Sequence, residues 1–346
     1  MLQVNINSRG AIVFPYSICI DGHEERCLIR IVTHIHSDHL LDLNKSISYS
    51  KFITATPITM DLLEILGFRF PLHKRLPLDY RSCIELEDAK LCFEYAHHIA
   101  GTAQTILETA KGLLVYTSDF KRPGKDTPVI RDTDIMVIDA TYGDPRYRRV
   151  DEDIIVEKLV KLLRRLLTEK PIAIYAYYGK AQEVMQILRS YGVDAPFIAS
   201  TKQWKVLQVL QKHGLHISDV VLDGTKEANE IKKSGWYILF HHHTKFYTMK
   251  KMRSMHHVLL SGWLFTNPIR ALNGNSWIVG LSDHADFDEL VSYVEEAKPR
   301  VLIVDAYRGG SAAYRFTEYV RNHLGIQSIA MPNYWSHSGS FADLNL

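Results

Sequence analysis

Residues 33–39 read Thr33-His34-Ile35-His36-Ser37-Asp38-His39, with His34, His36, Asp38 and His39 inside six positions. The run before it, Leu28-Ile29-Arg30-Ile31-Val32, is rich in β-branched apolar side chains, so the polar string begins where a buried strand ends. In α/β folds that edge of a sheet is where chemistry is placed. Imidazole suits zinc, manganese and iron alike, and the carboxylate adds the negative charge a second cation would need. The string therefore predicts a two-metal site. A solvated turn could carry three histidines as well, so the reading demands more ligands downstream.

Further ligands follow other strands. Leu91-Cys92-Phe93-Glu94-Tyr95-Ala96 is strand-like and delivers His97-His98, with Gly101 three residues on. Leu113-Leu114-Val115-Tyr116-Thr117 is another apolar run and ends at Ser118-Asp119. At this point the chain resembles the metallo-β-lactamase superfamily, in which an HxHxDH string, a later histidine and a later aspartate bind a binuclear centre. The resemblance implies one metal on His34, His36 and His98, a second on Asp38 and His39, and Asp119 bridging them. Asp38 is counted among the catalytic residues too. His98 rather than His97 fits the His-x-x-Gly pattern, and Asp21 matches an early aspartate that orients ligands from behind.

Later segments resemble the β-CASP nuclease branch. Asp139, in Ile138-Asp139-Ala140-Thr141, lies at its first extra motif; Gly179-Lys180, Ser261-Gly262-Trp263 and Ser282-Asp283-His284-Ala285-Asp286 follow in order. These strings are most similar to ligase-associated exonucleases and Artemis-type DNA repair nucleases. The resemblance implies His284 as proton donor to the leaving oxygen, oriented by Asp139, and Lys180 at a helix start as a phosphate contact. A capping residue and an ordinary surface lysine are the plain alternatives for these two. The third extra motif falls on Asp305, after Val301-Leu302-Ile303-Val304, where other members have histidine or valine; aspartate there is expected to ligate the second metal.

Charge points the same way without the family. Residues 144–274 hold 21 Lys plus Arg against 12 Asp plus Glu, while the remainder holds 20 against 27. A near-neutral chain thus contains a basic module. Lys250, Lys251 and Arg253 lie near Phe246 and Tyr247, a pattern suited to a phosphate backbone with stacked bases. The run from Lys158 to Lys170 reads equally well as the solvated face of an amphipathic helix whose Ile154, Val156, Leu159, Leu162, Leu163 and Leu166 face a core. His241-His242-His243 follow an apolar strand with no acid or cysteine, and read as a polar turn or as a phosphate or base contact.

The expected fold is α/β: a metallo-β-lactamase αββα sandwich over 1–143 and 275–346, interrupted by a basic β-CASP α/β domain over 144–274. Helices are expected from Pro57 to Gly67, from Asp286 to Ala297 and from Ala312 to Leu324. No apolar run reaches the roughly 20 residues that cross a bilayer, and the start lacks the pattern of a secretory signal. Cys19, Cys27, Cys83 and Cys92 form no CxxC pair and are expected as reduced, packed thiols in a cytoplasmic protein. Together these features predict a nuclease with two divalent ions, zinc or manganese, acting on single-stranded DNA in preference to RNA. DNA repair or ligase-associated proteins are its expected partners. An RNA-processing β-CASP ribonuclease is the alternative. A small-ester hydrolase would need neither the basic module nor His284, and a binding module with a dead site would not keep every ligand.

Overall fold

Short apolar strands separated by turns build the first sheet: β1 (Asn5–Ile6), β2 (Ile12–Phe14), β3 (Ile18–Ile20), β4 (Ile29–Ile31), β5 (Phe52–Ala55) and β6 (Arg75–Pro77), adjacent in that order. The computed structural model describes residues 3–217 and 219–333. β1 to β3 are antiparallel and β3 to β6 parallel, so β3, β4 and β5 present their carboxyl ends along one edge. Between β5 and β6, the helix Pro57–Leu66 starts at Thr56, whose hydroxyl accepts from Thr59 N, and stops at Gly67 with φ 105°. Both ends are where the cap, the first-turn proline and the glycine place them.

The chain then forms β7 (Cys83–Leu86), β8 (Ala89–Tyr95), β9 (Ala103–Thr109), β10 (Gly112–Tyr116) and β11 (Ile135–Ile138). Cys83 and Cys92 face each other in the β7–β8 hairpin and are joined as a disulfide, whereas Cys19 and Cys27 are buried and free. This corrects the expectation of four reduced thiols: the two cysteines are cross-strand neighbours, and a search for CxxC spacing does not register them.

After Tyr147 a second unit begins, Arg148–Asp283. Its sheet comprises β12 (Ile172–Ala176), β13 (Phe197–Ala199), β14 (Val220–Leu222), β15 (Ile238–His242), β16 (His256–Leu260), β17 (Ile269–Asn273) and β18 (Ser276–Val279), in spatial order β14-β13-β15-β12-β16-β18-β17. All neighbours are parallel except the edge strand β17. Both faces of the sheet are covered, which explains why β12, Ile-Ala-Ile-Tyr-Ala, is buried throughout. The helix Glu152–Leu167 buries Val156, Leu159, Leu162, Leu163 and Leu166 on one face and leaves Lys158, Lys161, Arg164 and Arg165 exposed. Ile154, expected in that stripe, is exposed, and Ile155 is buried in its stead. The expected insertion over 144–274 stops before β18, which pairs with β16 inside this sheet.

The chain returns at His284, and the first unit is completed by β19 (Val301–Asp305) and β20 (Gln327–Met331), giving a sheet ordered β20-β19-β11-β10-β9-β8-β7. Of the expected closing segment, 275–346, residues 334–346 lie outside the described residues. Phe14, Ile20, Ile31, Phe93, Tyr116, Val137 and Ile303 share one core, so the two sheets of this unit pack face to face. The outer face of the second sheet is covered by the helices Phe287–Ala297 and Ala306–Tyr319 through Leu290, Val294 and Phe316. The latter helix begins six residues before the expected Ala312, because Asp305 caps it, and Gly310 sits at a kink with φ 53°. Among the described residues, no helix is long and apolar enough to cross a membrane.

Candidate metal centre

The ligands predicted from the string come from the loop after β4. His34 and His36 precede a short 3-10 turn, Ser37–His39, and the loop is tied from behind by Asp21 at the end of β3. Asp21 is fully buried and accepts from Thr33 N at 2.8 Å, from Thr33 Oγ1 at 2.6 Å and from His39 Nδ1 at 2.7 Å. Burial opposes its charge, but His39 and Arg308 outweigh burial and hold its carboxyl down at about 2. An ionised Asp21 at Nδ1 turns His39 Nε2 toward the centre. Thr33 Oγ1 also lies 3.1 Å from His34 Nδ1, so one hydroxyl links both rings.

Three other strand ends supply the rest. His98 follows β8 in a tight loop closed by Gly101, which has φ 95° and whose carbonyl accepts from Thr56 Oγ1 at 2.7 Å. A Cβ on Gly101 would stand 2.6 Å from Thr59 Oγ1, so only glycine fits. Asp119 follows β10 and Asp139 follows β11. Asp119 Oδ2 lies 3.4 Å from His34 Nε2, 3.3 Å from His39 Nε2, 3.5 Å from His98 Nε2 and 3.8 Å from His284 Nδ1. Asp38 Oδ2 is 3.7 Å from His39 Nε2 and half exposed. His97 points elsewhere, 3.3 Å from Asp126.

Two sets of side chains could each hold a metal ion: His34, His36, His98 and Asp119; and Asp119, Asp139 and His284. Asp119 belongs to both. The fit to cations has an independent basis in atoms that otherwise lack purpose. His34 Nε2, His39 Nε2 and Asp119 Oδ1 are buried without a hydrogen bond. His98 Nε2 lies 3.0 Å from His36 Nδ1, so the two rings meet at the centre, as a hydrogen bond when one of these nitrogens carries its proton. Burial holds His34 and His98 below the usual histidine range and pushes His36 down to about 3, which keeps their lone pairs available at neutral pH. Burial also opposes the charge on Asp119, yet His39 and His284 overcome it and keep the carboxylate ionised.

His284 Nδ1 lies 3.4 Å from Asp139 Oδ2, and Asp139 Oδ1 accepts from Thr141 N at 3.1 Å and Thr141 Oγ1 at 2.8 Å. The carboxylate is thus held on one side by its own turn and offers the other to the imidazole.

The structure does not bring Asp305 into the set. Asp305 Oδ1 accepts from Tyr307 N and Arg308 N, and Oδ2 accepts from Arg308 Nη1 at 2.6 Å. Arg308 in turn donates to the carbonyls of Gly10, Asp21 and Asp38. Asp305 is therefore a buried anchor for an arginine that braces the loops of the candidate metal ligands, a role not visible in the sequence; its one signal was Arg308, one helical turn beyond Asp305. Lys180 departs from expectation too: it is buried, and its ammonium pairs with Asp283 and with Glu183 at 2.5 Å, rather than facing solvent. Lys250, Lys251 and Arg253 do gather. With Lys170, Asn273, Gly274 and Asn275 they line a cavity of ≈ 600 Å³ at the amino edge of the second unit's sheet, and no carboxylate is among its lining residues.

No family model matches the chain. It is 40% identical over 139 residues to an uncharacterized protein in the lig 3' region of Acidianus ambivalens, covering 40% of this chain and 99% of that protein. It is 25% identical over 222 residues to cleavage and polyadenylation specificity factor subunit 3 of Dictyostelium discoideum, covering 54% of this chain and 28% of the other. It is 22% identical over 306 residues to the DNA cross-link repair 1A protein of Mus musculus, covering 82% of this chain and 29% of the other. The chain thus spans less than a third of either of these two larger relatives. A crystal structure of a protein of unknown function from Enterococcus faecalis V583 superposes with a TM-score of 0.55 at 12% identity, covering 80% of this chain and 74% of that one.

Proposed function

We propose that this chain, which belongs to the β-CASP nuclease branch of the metallo-β-lactamase superfamily, hydrolyses the phosphodiester bonds of single-stranded DNA as a repair exonuclease and leaves 5′-phosphates. The observation that carries the reading is the convergence of His34, His36, His98 and His39 on Asp119, with the Asp139–His284 pair reaching the same carboxylate. On this reading the face-to-face sheets are the metallo-β-lactamase sandwich and the unit Arg148–Asp283 is the inserted β-CASP domain.

Two divalent ions, zinc or manganese, would be held by His34, His36 and His98 on one side and by Asp38 and His39 on the other, with Asp119 between. Ions bound there would supply positive charge against the repulsion that protects a phosphodiester and would lower the pKa of a water toward neutral. The chain's own residues do the remainder. Scission between phosphorus and O3′ leaves an oxygen that needs a proton, and His284 supplies it. Asp139, accepting from Nδ1–H, would orient the ring and stabilise its imidazolium form, whose Nε2–H is the proton given to the leaving oxygen. Lys250, Lys251 and Arg253 are proposed to bind substrate phosphates, and a repair or ligase complex is the proposed setting.

A second reading, an RNA-processing ribonuclease, is favoured by the likeness to a cleavage and polyadenylation factor subunit. Both share the site. Digestion of matched single-stranded DNA and RNA, labelled in turn at each end, separates them: DNA shortened from one end is expected. Preferential loss of RNA would transfer the protein to the second reading, and cleavage of neither would overturn both.

A further inference from the structure

The carboxyl edge of the second unit's sheet carries a group of rings that the hydrolytic site does not use. Tyr177 and Tyr178 follow β12, and His242 and His243 follow one another at the end of the neighbouring strand β15. The Tyr177 and His243 rings stack with centroids 3.7 Å apart and planes 25° from parallel; Tyr178 and His242 lie 4.5 Å apart at 31°. Beneath them Tyr175 and Phe246 are buried core, but Tyr177 is 46% exposed. Nearly half of Tyr177 is therefore within reach of a ligand at this edge.

The histidines do not form a metal site, since no group of three metal-holding side chains found among the described residues includes them. Burial holds His242 down to about 4 and His243 below its usual range, so both are neutral aromatic rings at pH 7, not cations. His243 Nδ1 is buried without a hydrogen bond, which leaves polar capacity beside the stack. Lys202, in the helix Thr201–Lys212 that follows the neighbouring parallel strand β13, and Lys245, in the 3-10 turn His243–Lys245, are both exposed. Flat rings with nearby exposed ammonium groups are the combination that holds an unpaired base with its phosphate.

We propose that Tyr177 and His243 form a platform on which one unpaired nucleobase of a single strand stacks, with Lys202 and Lys245 toward its phosphates. The proposal rests on the nuclease reading and adds a subsite to it. The ligand is the π-face of a base, common to DNA and RNA, at the edge opposite the basic cavity of Lys250 and Arg253.

Binding of labelled single strands to the chelated, full-length protein tests it. Tyr177→Ala is expected to weaken binding about 5- to 150-fold, and Tyr177→Phe, which keeps the ring, to bind as the original does. An oligonucleotide with one abasic position at the platform should weaken the original protein equally and Tyr177→Ala no further, with DNA and RNA arms behaving alike. Should the alanine variant fail to fold, 2-aminopurine walked along the strand and bound to the unaltered protein gives a second measurement: one position is expected to be quenched by stacking. Equal binding by Tyr177→Ala and the original, or a uniform response along the strand, overturns the platform and leaves the nuclease reading standing. If the unaltered protein neither binds nor cuts either polymer, the nuclease reading falls and the platform with it.

Discussion

The two units use the same geometric device and fill it with opposite chemistry. In each, strands release their chain into loops along a carboxyl edge. In the unit that ends at Tyr147 and resumes at His284, these loops deliver buried imidazoles and carboxylates, and that unit carries 21 Lys plus Arg against 27 Asp plus Glu. In Arg148–Asp283 they deliver tyrosines and neutral histidines on a unit carrying 20 against 12. The difference indicates that strand topology fixes where polar residues gather, while the residue types fix what they suit: cations in one unit and, on the proposed reading, a polyanion in the other.

Removing metal should break this comparison most completely. Chelation is expected to abolish cleavage, and Asp119→Ala to lose both activity and metal, because the carboxylate serves both sets of ligands; metal analysis should find about two zinc or manganese ions in the untreated protein. Retained occupancy in the variant would take Asp119 out of the bridge. His284→Ala should lower turnover by about 100- to 10,000-fold with metal content unchanged, as for a missing proton donor. A fall in metal content would make His284 a ligand, as its place beside Asp119 and Asp139 also allows.

Changes in the second unit should spare the metals. Replacing Lys250, Lys251 and Arg253 by glutamine is expected to flatten the salt dependence of binding by about 0.7 in log–log slope for each phosphate no longer neutralised, with metal content unaltered. A slope that stays as steep would leave the amino-edge cavity outside the nucleic-acid path. The smallest effect belongs to Lys158→Gln with Lys161→Gln: they lie on the solvated face of a helix whose other face is core, so the slope should stay unchanged.

The candidate metal centre was legible as a cluster because its residues announce themselves twice, by type and by position at the end of an apolar strand. His98 could be told from His97 by Gly101 alone, and the 2.6 Å approach to Thr59 supplies the physical reason. What remained hidden depends on neighbours far along the chain. Asp305 and Lys180 carry suitable groups, but Arg308 and the pair Asp283 and Glu183 claim them, and no spacing rule shows such partners. The Cys83–Cys92 link needs the hairpin register, and the limit of the second unit needs the pairing of β18 with β16. The start of the helix Ala306–Tyr319 was obscured by Gly309 and Gly310, which break the helical pattern although the capping Asp305 begins it.

Arg308 also imposes an order in time. A chain emerging from the ribosome makes the string His34 to His39 almost at once, yet the guanidinium that grips the carbonyls of Gly10, Asp21 and Asp38 arrives about 270 residues later. Until β19 is made, β11 has no partner on that side and the helix that aims Arg308 does not exist. The loops that carry the candidate metal ligands are therefore braced last, so the cluster around Asp119 is completed only when synthesis has passed residue 308.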